Sequence, residues 1–91
     1  MQAGFQVHGR VQGVGFRAFA RDAARSLGLA GWVANDWEGA VTGRAEGPPE
    51  TLEVFRQRLA EGPPWAHVTR VDWDPGPGGE SLPFPFRIHP E

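Results

Sequence analysis

The residues whose types and spacing could do chemistry are gathered in one stretch, Gly9-Arg10-Val11-Gln12-Gly13-Val14-Gly15-Phe16-Arg17. It follows an alternating, strand-like run and opens a helical one. Glycine lets the backbone turn through positive φ and lets a ligand approach the main chain closely. A strand, a Gly-rich turn and a helix N-terminus point successive N–H groups at one spot, which makes a cradle for an anion. Arg17 falls at the first helical turn, where the helix dipole disfavours a cation. An anion held between them reverses that sign, so the stretch reads as a phosphate site. The same spacing also suits a plain Gly-rich strand-to-helix turn with a solvated arginine.

Positioning such a site takes a scaffold, and 91 residues with 40% hydrophobic content are enough for one domain, residues 1–91, with one core layer. There is no cysteine, which excludes disulfides, thiolate nucleophiles and Cys-ligated metals. No apolar run approaches the ~18 residues of a membrane span and nothing resembles a signal peptide, so a cytoplasmic protein with no membrane partner is expected. The net charge of −2 supplies no bulk field to draw nucleic acid. All nine basic residues are arginine.

Phe5 and Val7 alternate with Gln6 and His8, which marks residues 3–9 as a half-buried strand. Phe16, Phe19, Ala20, Ala23, Ala24 and Leu27 make the continuous stripe of an amphipathic helix that Gly28 ends. Arg17, Arg21, Asp22 and Arg25 lie off that stripe; Arg21 and Arg25 are expected to be solvated or paired locally. Residues 29–35 and 40–46 read as two strands joined through Asp36-Trp37-Glu38-Gly39 into a hairpin. Pro48-Pro49-Glu50 opens a second helix, with Leu52, Phe55 and Leu59 buried and Val54 beside them, and Gly62-Pro63-Pro64 stops it. Residues 66–73 read as a fourth strand, Asp74 to Ser81 as a loop, and 84–88 as a short last strand at a sheet edge, where Pro83 and Pro85 harm no ladder. The order βαββαβ plus a short C-terminal β predicts an α+β, ferredoxin-like α/β sandwich: an antiparallel sheet with two helices on one face.

The Gly9–Arg17 stretch resembles the signature loop of the acylphosphatases. Gly31-Trp32-Val33-Ala34-Asn35-Asp36-Trp37-Glu38-Gly39-Ala40-Val41, followed by Gly47, resembles their second signature. The two motifs stand in the family's order and spacing, and the resemblance covers essentially the whole chain. The departures lie outside the motifs, in the Pro/Gly-rich segment 75–85 and the Pro90-Glu91 end. The resemblance implies hydrolysis of an acyl phosphate to a carboxylate and inorganic phosphate. It implies that the phosphate is bound by the loop of Gln12, Gly13, Val14, Gly15, Phe16 and Arg17, and that Asn35 positions the water. Arg17 and Asn35 are therefore the expected catalytic residues. A guanidinium fits phosphate oxygens two at a time and stays charged, and an amide can hold a neutral water in a fixed direction. The partner implied is a small-molecule acyl phosphate, with inorganic phosphate or sulfate as a competing anion. No cofactor and no metal is expected, and nothing demands more than a monomer.

Other readings fit less well. Gly13-Val14-Gly15-Phe16-Arg17-Ala18 matches a dinucleotide fingerprint, with Asp36 about twenty residues on. That fingerprint needs a continuing parallel βαβ sheet, and here a hairpin follows. No Lys-Ser/Thr follows the loop, so it is not a Walker A. His8, His67 and His89 lack metal-ligand spacing; His8, near the loop, is read as an outward strand residue rather than a substrate contact. Trp32, Trp37, Trp65 and Trp73 lack the basic, aromatic strand motif of an RNA-binding sheet and are read as core, rim or loop packing. The functional alternative to a free-standing enzyme is a phosphate-binding module of the same fold, as in larger carbamoyl-transfer maturation enzymes.

Overall fold

The computed structural model describes residues 1–90, so Glu91, the last residue of the Pro90-Glu91 end, lies outside the described residues. Its elements are β1 (Gln2–Arg10), α1 (Phe16–Ser26), β2 (Ala30–Asn35), β3 (Val41–Glu46), α2 (Pro49–Glu61), β4 (His67–Gly76) and β5 (Arg87–His89). They form one five-stranded sheet in the order β4-β1-β3-β2-β5. The two helices pack against it through one core. Phe5, Val7, Val33, Val41 and Ala45 from the strands meet Phe16, Ala20, Ala24, Leu52, Phe55 and Leu59 from the helices. The ferredoxin-like α+β sandwich expected from the element order is the fold observed.

The burial of the strands follows the period of two. In β3, Val41, Gly43 and Ala45 are buried while Thr42, Arg44 and Glu46 are half-buried on the other face. On the helices, the anticipated stripes carry the burial: Phe16, Ala20, Ala23 and Ala24 on α1, and Leu52, Phe55 and Leu59 on α2. Val54 does not join them and is 40% exposed. It lies one position before Phe55, which turns it about 100° away from the buried stripe.

Two expectations about the sheet need correction. The first four strands are antiparallel to their neighbours, but β5 runs parallel to β2, which makes the whole sheet mixed. The direction follows from where the chain starts its return. β4 ends beside Gln2, at the beginning of β1, and the loop after it passes Gln2, whose Nε2 donates to the Glu80 carbonyl at 2.7 Å. From that end β5 can only run in the direction of β1 and β2. It is also shorter and later than expected, Arg87–His89 rather than 84–88. The second correction is that Asp74, Pro75 and Gly76 extend β4 instead of starting a loop, pairing with Gly4, Ala3 and Gln2. β4 is an edge strand, so the N–H that Pro75 lacks is missed by no neighbour.

The tryptophans divide. Trp73 stacks on Phe5 with ring centroids 6.3 Å apart, and Trp32 lies against His89 at 5.6 Å. Trp37 and Trp65 sit exposed in turns. Among the described residues no helix is long and apolar enough to cross a membrane.

Candidate active site

β1 and β2 both run antiparallel to β3, so they run parallel to each other and end at the same edge of the sheet. That edge carries the loop after Arg10 and the residue that closes β2, Asn35. Along β2, Gly31 and Val33 face the helices, and alternation puts Asn35 on that same side. α1 starts from the loop, so its N-terminus, the glycine turn and Asn35 meet.

Gly13 and Gly15 both take left-handed φ, 75° and 77°, a conformation that L side chains enter only with strain. A Cβ at either position would meet nothing within 4 Å, so glycine is required there by the turn and not by crowding. Gly15 is the N-cap of α1 and brings no side-chain cap, and the first turn holds no acidic residue. The earliest N–H groups of the helix have no carbonyl one turn back. They therefore offer unneutralised donors at the positive end of the dipole.

A cleft of about 600 Å³ opens at this point, lined by Gly13, Gly15, Phe16, Arg17, Asn35 and, from β5 and the chain after it, Arg87, Ile88 and Pro90. Arg21 and Arg25 of α1 line it as well, and among the described residues no acidic one does. Arg17 has no ion pair among the described residues. Arg21 does pair locally, with Asp22 at 2.9 Å. Arg25 does not: its Nε donates to the Phe86 carbonyl at 2.7 Å, tying α1 to the lead-in of β5.

Of the other loop residues singled out by the sequence, Gln12 and Val14 direct their side chains elsewhere. Val14 packs against the core. The Gln12 amide donates through Nε2 to the carbonyls of Asp36 and Ala40, at 3.0 and 2.9 Å. What these two residues can offer an anion is their backbone N–H. The Gln12 bonds clamp the glycine loop to the β2–β3 turn that follows Asn35.

Asp36 organises that turn, a role the sequence reading did not assign. Its Oδ1 accepts from the N–H groups of Glu38 and Ala40, both at 2.9 Å, and its Oδ2 accepts from Gln6 Nε2 at 2.8 Å. The Gln6 hydrogen bond above all, helped by the two backbone N–H groups against the opposing effect of burial, holds the Asp36 carboxyl below the usual carboxylate range. An aspartate two residues before a turn amide is the sequence signal that could have exposed this role. His8 is on the open face of the sheet, its Nε2 2.9 Å from Asp72 Oδ2, and it does not line the cleft. Among the described residues no group of three or more His, Asp or Glu is placed to hold a metal ion.

Residues 3–82 match the family model for acylphosphatase. The chain belongs to the acylphosphatase family. It is 52% identical over 71 residues to the acylphosphatase of Cupriavidus pinatubonensis, a span covering 78% of this chain and 79% of that one. Among solved structures it resembles the acylphosphatase from Bacillus subtilis with a TM-score of 0.91 and 39% identity, over 96% of each chain. It also resembles HypF of T. kodakarensis, at 30% identity and a TM-score of 0.76, over 97% of this chain but 12% of that one. Membership of the acylphosphatases supports an enzyme that hydrolyses a small-molecule acyl phosphate.

Proposed function

We propose that the chain acts as a metal-independent acylphosphatase, with the phosphate held by the Gln12–Arg17 loop and the Arg17 guanidinium and the attacking water positioned by Asn35. The observation that carries this reading is the convergence of three things on one cleft that no acidic side chain of the described residues lines. They are an uncapped helix N-terminus reached through two left-handed glycines, an arginine with no ion pair among the described residues, and an amide side chain from the end of β2.

The chemistry asks for little more. The water oxygen forms a bond to phosphorus while the bond from phosphorus to the acyl oxygen breaks, and the electron pair leaves with the carboxylate. Both water protons stay with the phosphate, so an acyl phosphate dianion and water give a carboxylate and dihydrogen phosphate. The leaving carboxylate has a conjugate acid with a pKa of about 4, by analogy with side-chain carboxyls, so it departs without a general acid. Phosphoryl transfer of this kind rests on positioning and on charge stabilisation. Loop N–H groups and Arg17 supply the charge stabilisation; Asn35 supplies the direction of attack. The single domain acts as a monomer in this reading, and inorganic phosphate or sulfate competes for the loop.

The likeness to HypF favours one other reading, a phosphate-binding module of the same fold with little catalysis of its own. Benzoyl phosphate turnover separates the two, and two variants assign the roles. Arg17→Ala is expected to lose both turnover and phosphate affinity. Asn35→Ala is expected to lower kcat by about 10²–10³, the scale of removing one positioned polar group, while phosphate affinity stays near normal. Asn35→Asp, which sets a negative charge beside the phosphate, is expected to be at least as damaging as Ala and to weaken phosphate binding at pH 7. Near-normal kcat in Arg17→Ala, or an Asn35→Ala effect confined to thermal stability, would remove that residue from the mechanism.

A further inference from the structure

The cleft extends well beyond what the loop, Arg17 and Asn35 account for, and its further wall is cationic. Arg17, Arg21 and Arg25 recur at i, i+4 and i+8 of α1, and all three line the cleft. At a rise of about 1.5 Å per residue, Arg21 lies about 6 Å and Arg25 about 12 Å along the helix axis from Arg17. β5 flanks the same groove, and Arg25 is pinned to its lead-in by the bond to the Phe86 carbonyl.

Arg21 and Arg25 are held in a similar way. Each is engaged through Nε, Arg21 by Asp22 and Arg25 by the Phe86 carbonyl. Their terminal Nη groups have no hydrogen-bond partner among the described residues. A guanidinium anchored through Nε has its plane fixed and its outer pair of N–H donors presented, the fork that matches a carboxylate or a phosphate. Like charges at i and i+4 on a helix destabilise it. Here two such pairs succeed each other beside a cleft that no carboxylate of the described residues lines. Core packing does not account for them, since both lie off the buried stripe of α1.

We propose that Arg21 and Arg25 form a second anion subsite. Building on the acylphosphatase reading above, the enzyme then prefers acyl phosphates whose acyl group carries its own terminal carboxylate or phosphate. The phosphoryl group sits in the loop with Arg17, the acyl chain runs along the groove past Ala18 and Ile88, and its terminal anion meets the two guanidinium groups. The reaction itself is unchanged; the subsite selects the leaving group.

The test compares rigid probes of one shape: benzoyl phosphate, 4-carbamoylbenzoyl phosphate, 4-carboxybenzoyl phosphate and 4-phosphonobenzoyl phosphate. Against the neutral carbamoyl probe, at least one charged probe is expected to show kcat/KM raised by about fivefold, the scale of a solvent-accessible ion pair. Which one gains more tells whether a carboxylate or a phosphate is the better terminal group. In Arg21→Gln/Arg25→Gln the ratio is expected to fall to about one, and in Arg21→Lys/Arg25→Lys to stay above that. A loss of packing alone would lower both probes together and leave the ratio where it was. Arg21→Gln alone, which spares the bond to Phe86, gives a partial fall and covers a double variant that fails to fold. Equal kcat/KM for charged and neutral probes in the parent, or a ratio unmoved in the Gln variants, overturns the subsite and leaves the hydrolase reading standing. No turnover of any probe, benzoyl phosphate included, overturns both.

Discussion

Gln12→Ala removes the clamp between the glycine loop and the turn after Asn35 without touching a proposed catalytic side chain or the loop backbone. Two hydrogen bonds go, to the carbonyls of Asp36 and Ala40. Each is worth about 0.5–1.5 kcal/mol net, so the stability loss is about 1–3 kcal/mol. The Ala40 carbonyl keeps the Asp36 N–H at 2.9 Å, which favours the lower half of that range. For a domain of this size each kcal/mol lowers Tm by about 4–8 °C. The effect on catalysis comes from a different source. With the clamp gone, the bound phosphate and the Asn35 water lose their mutual register, and a displacement of about 1 Å can cost 10² in rate. Gln12→Ala is therefore expected to lower kcat on benzoyl phosphate by about 10- to 100-fold while the loop N–H groups still bind inorganic phosphate. Gln12→Glu is expected to be worse, because a carboxylate would face two carbonyl oxygens and the substrate's phosphate. Thermal denaturation and steady-state kinetics on the same samples decide the matter. A lowered Tm with kcat within twofold of the parent would show that the clamp holds the fold but not the geometry of attack.

Two further outcomes follow from the same region. Gly13→Val and Gly15→Val are expected to weaken competition by inorganic phosphate, and Gly13→Asn less so, because asparagine enters the left-handed region more readily; the space around both positions is open, so equal damage from Val and Asn would contradict the φ argument. The Asp36 carboxyl is held below its usual range in the folded protein, so its contribution to stability is present above the unfolded pKa of about 3.9 and is lost as pH falls through the lower folded value. Asp36→Asn is thus expected to be less stable than the parent at pH 7, with the gap narrowing below about pH 4; a gap constant from pH 7 to pH 3 would refute the assignment.

The parts legible in the sequence are those that local pattern determines. The stripe from Phe16 to Leu27 gave both the helix and its buried face, and three of the residues off it, Arg17, Arg21 and Arg25, line the cleft. The strand–helix–strand order implied that Asn35 lies beside the loop if its strand lies near the first; the sheet order supplies the reason, since β1 and β2 flank β3 and run antiparallel to it. What escaped depended on partners far along the chain. The direction of β5 is decided by where β4 ends, and β4 runs on through Pro75 because its edge position excuses the missing N–H. Arg25 looked like a surface cation because its acceptor, the Phe86 carbonyl, is 61 residues away. Gln12 sits in the middle of the loop motif, yet its amide serves the turn 24 to 28 residues on, a pairing no local pattern contains.

The central claim is that a positioned water attacks phosphorus in the Arg17–Asn35 cleft without a metal. Hydrolysis of benzoyl phosphate in ¹⁸O-labelled water, with the protein exhaustively treated with chelator, tests it most directly. Undiminished turnover is expected, with the label in inorganic phosphate and none in benzoate. Label in benzoate, or activity that returns only when Mg²⁺ or Zn²⁺ is restored, would contradict it.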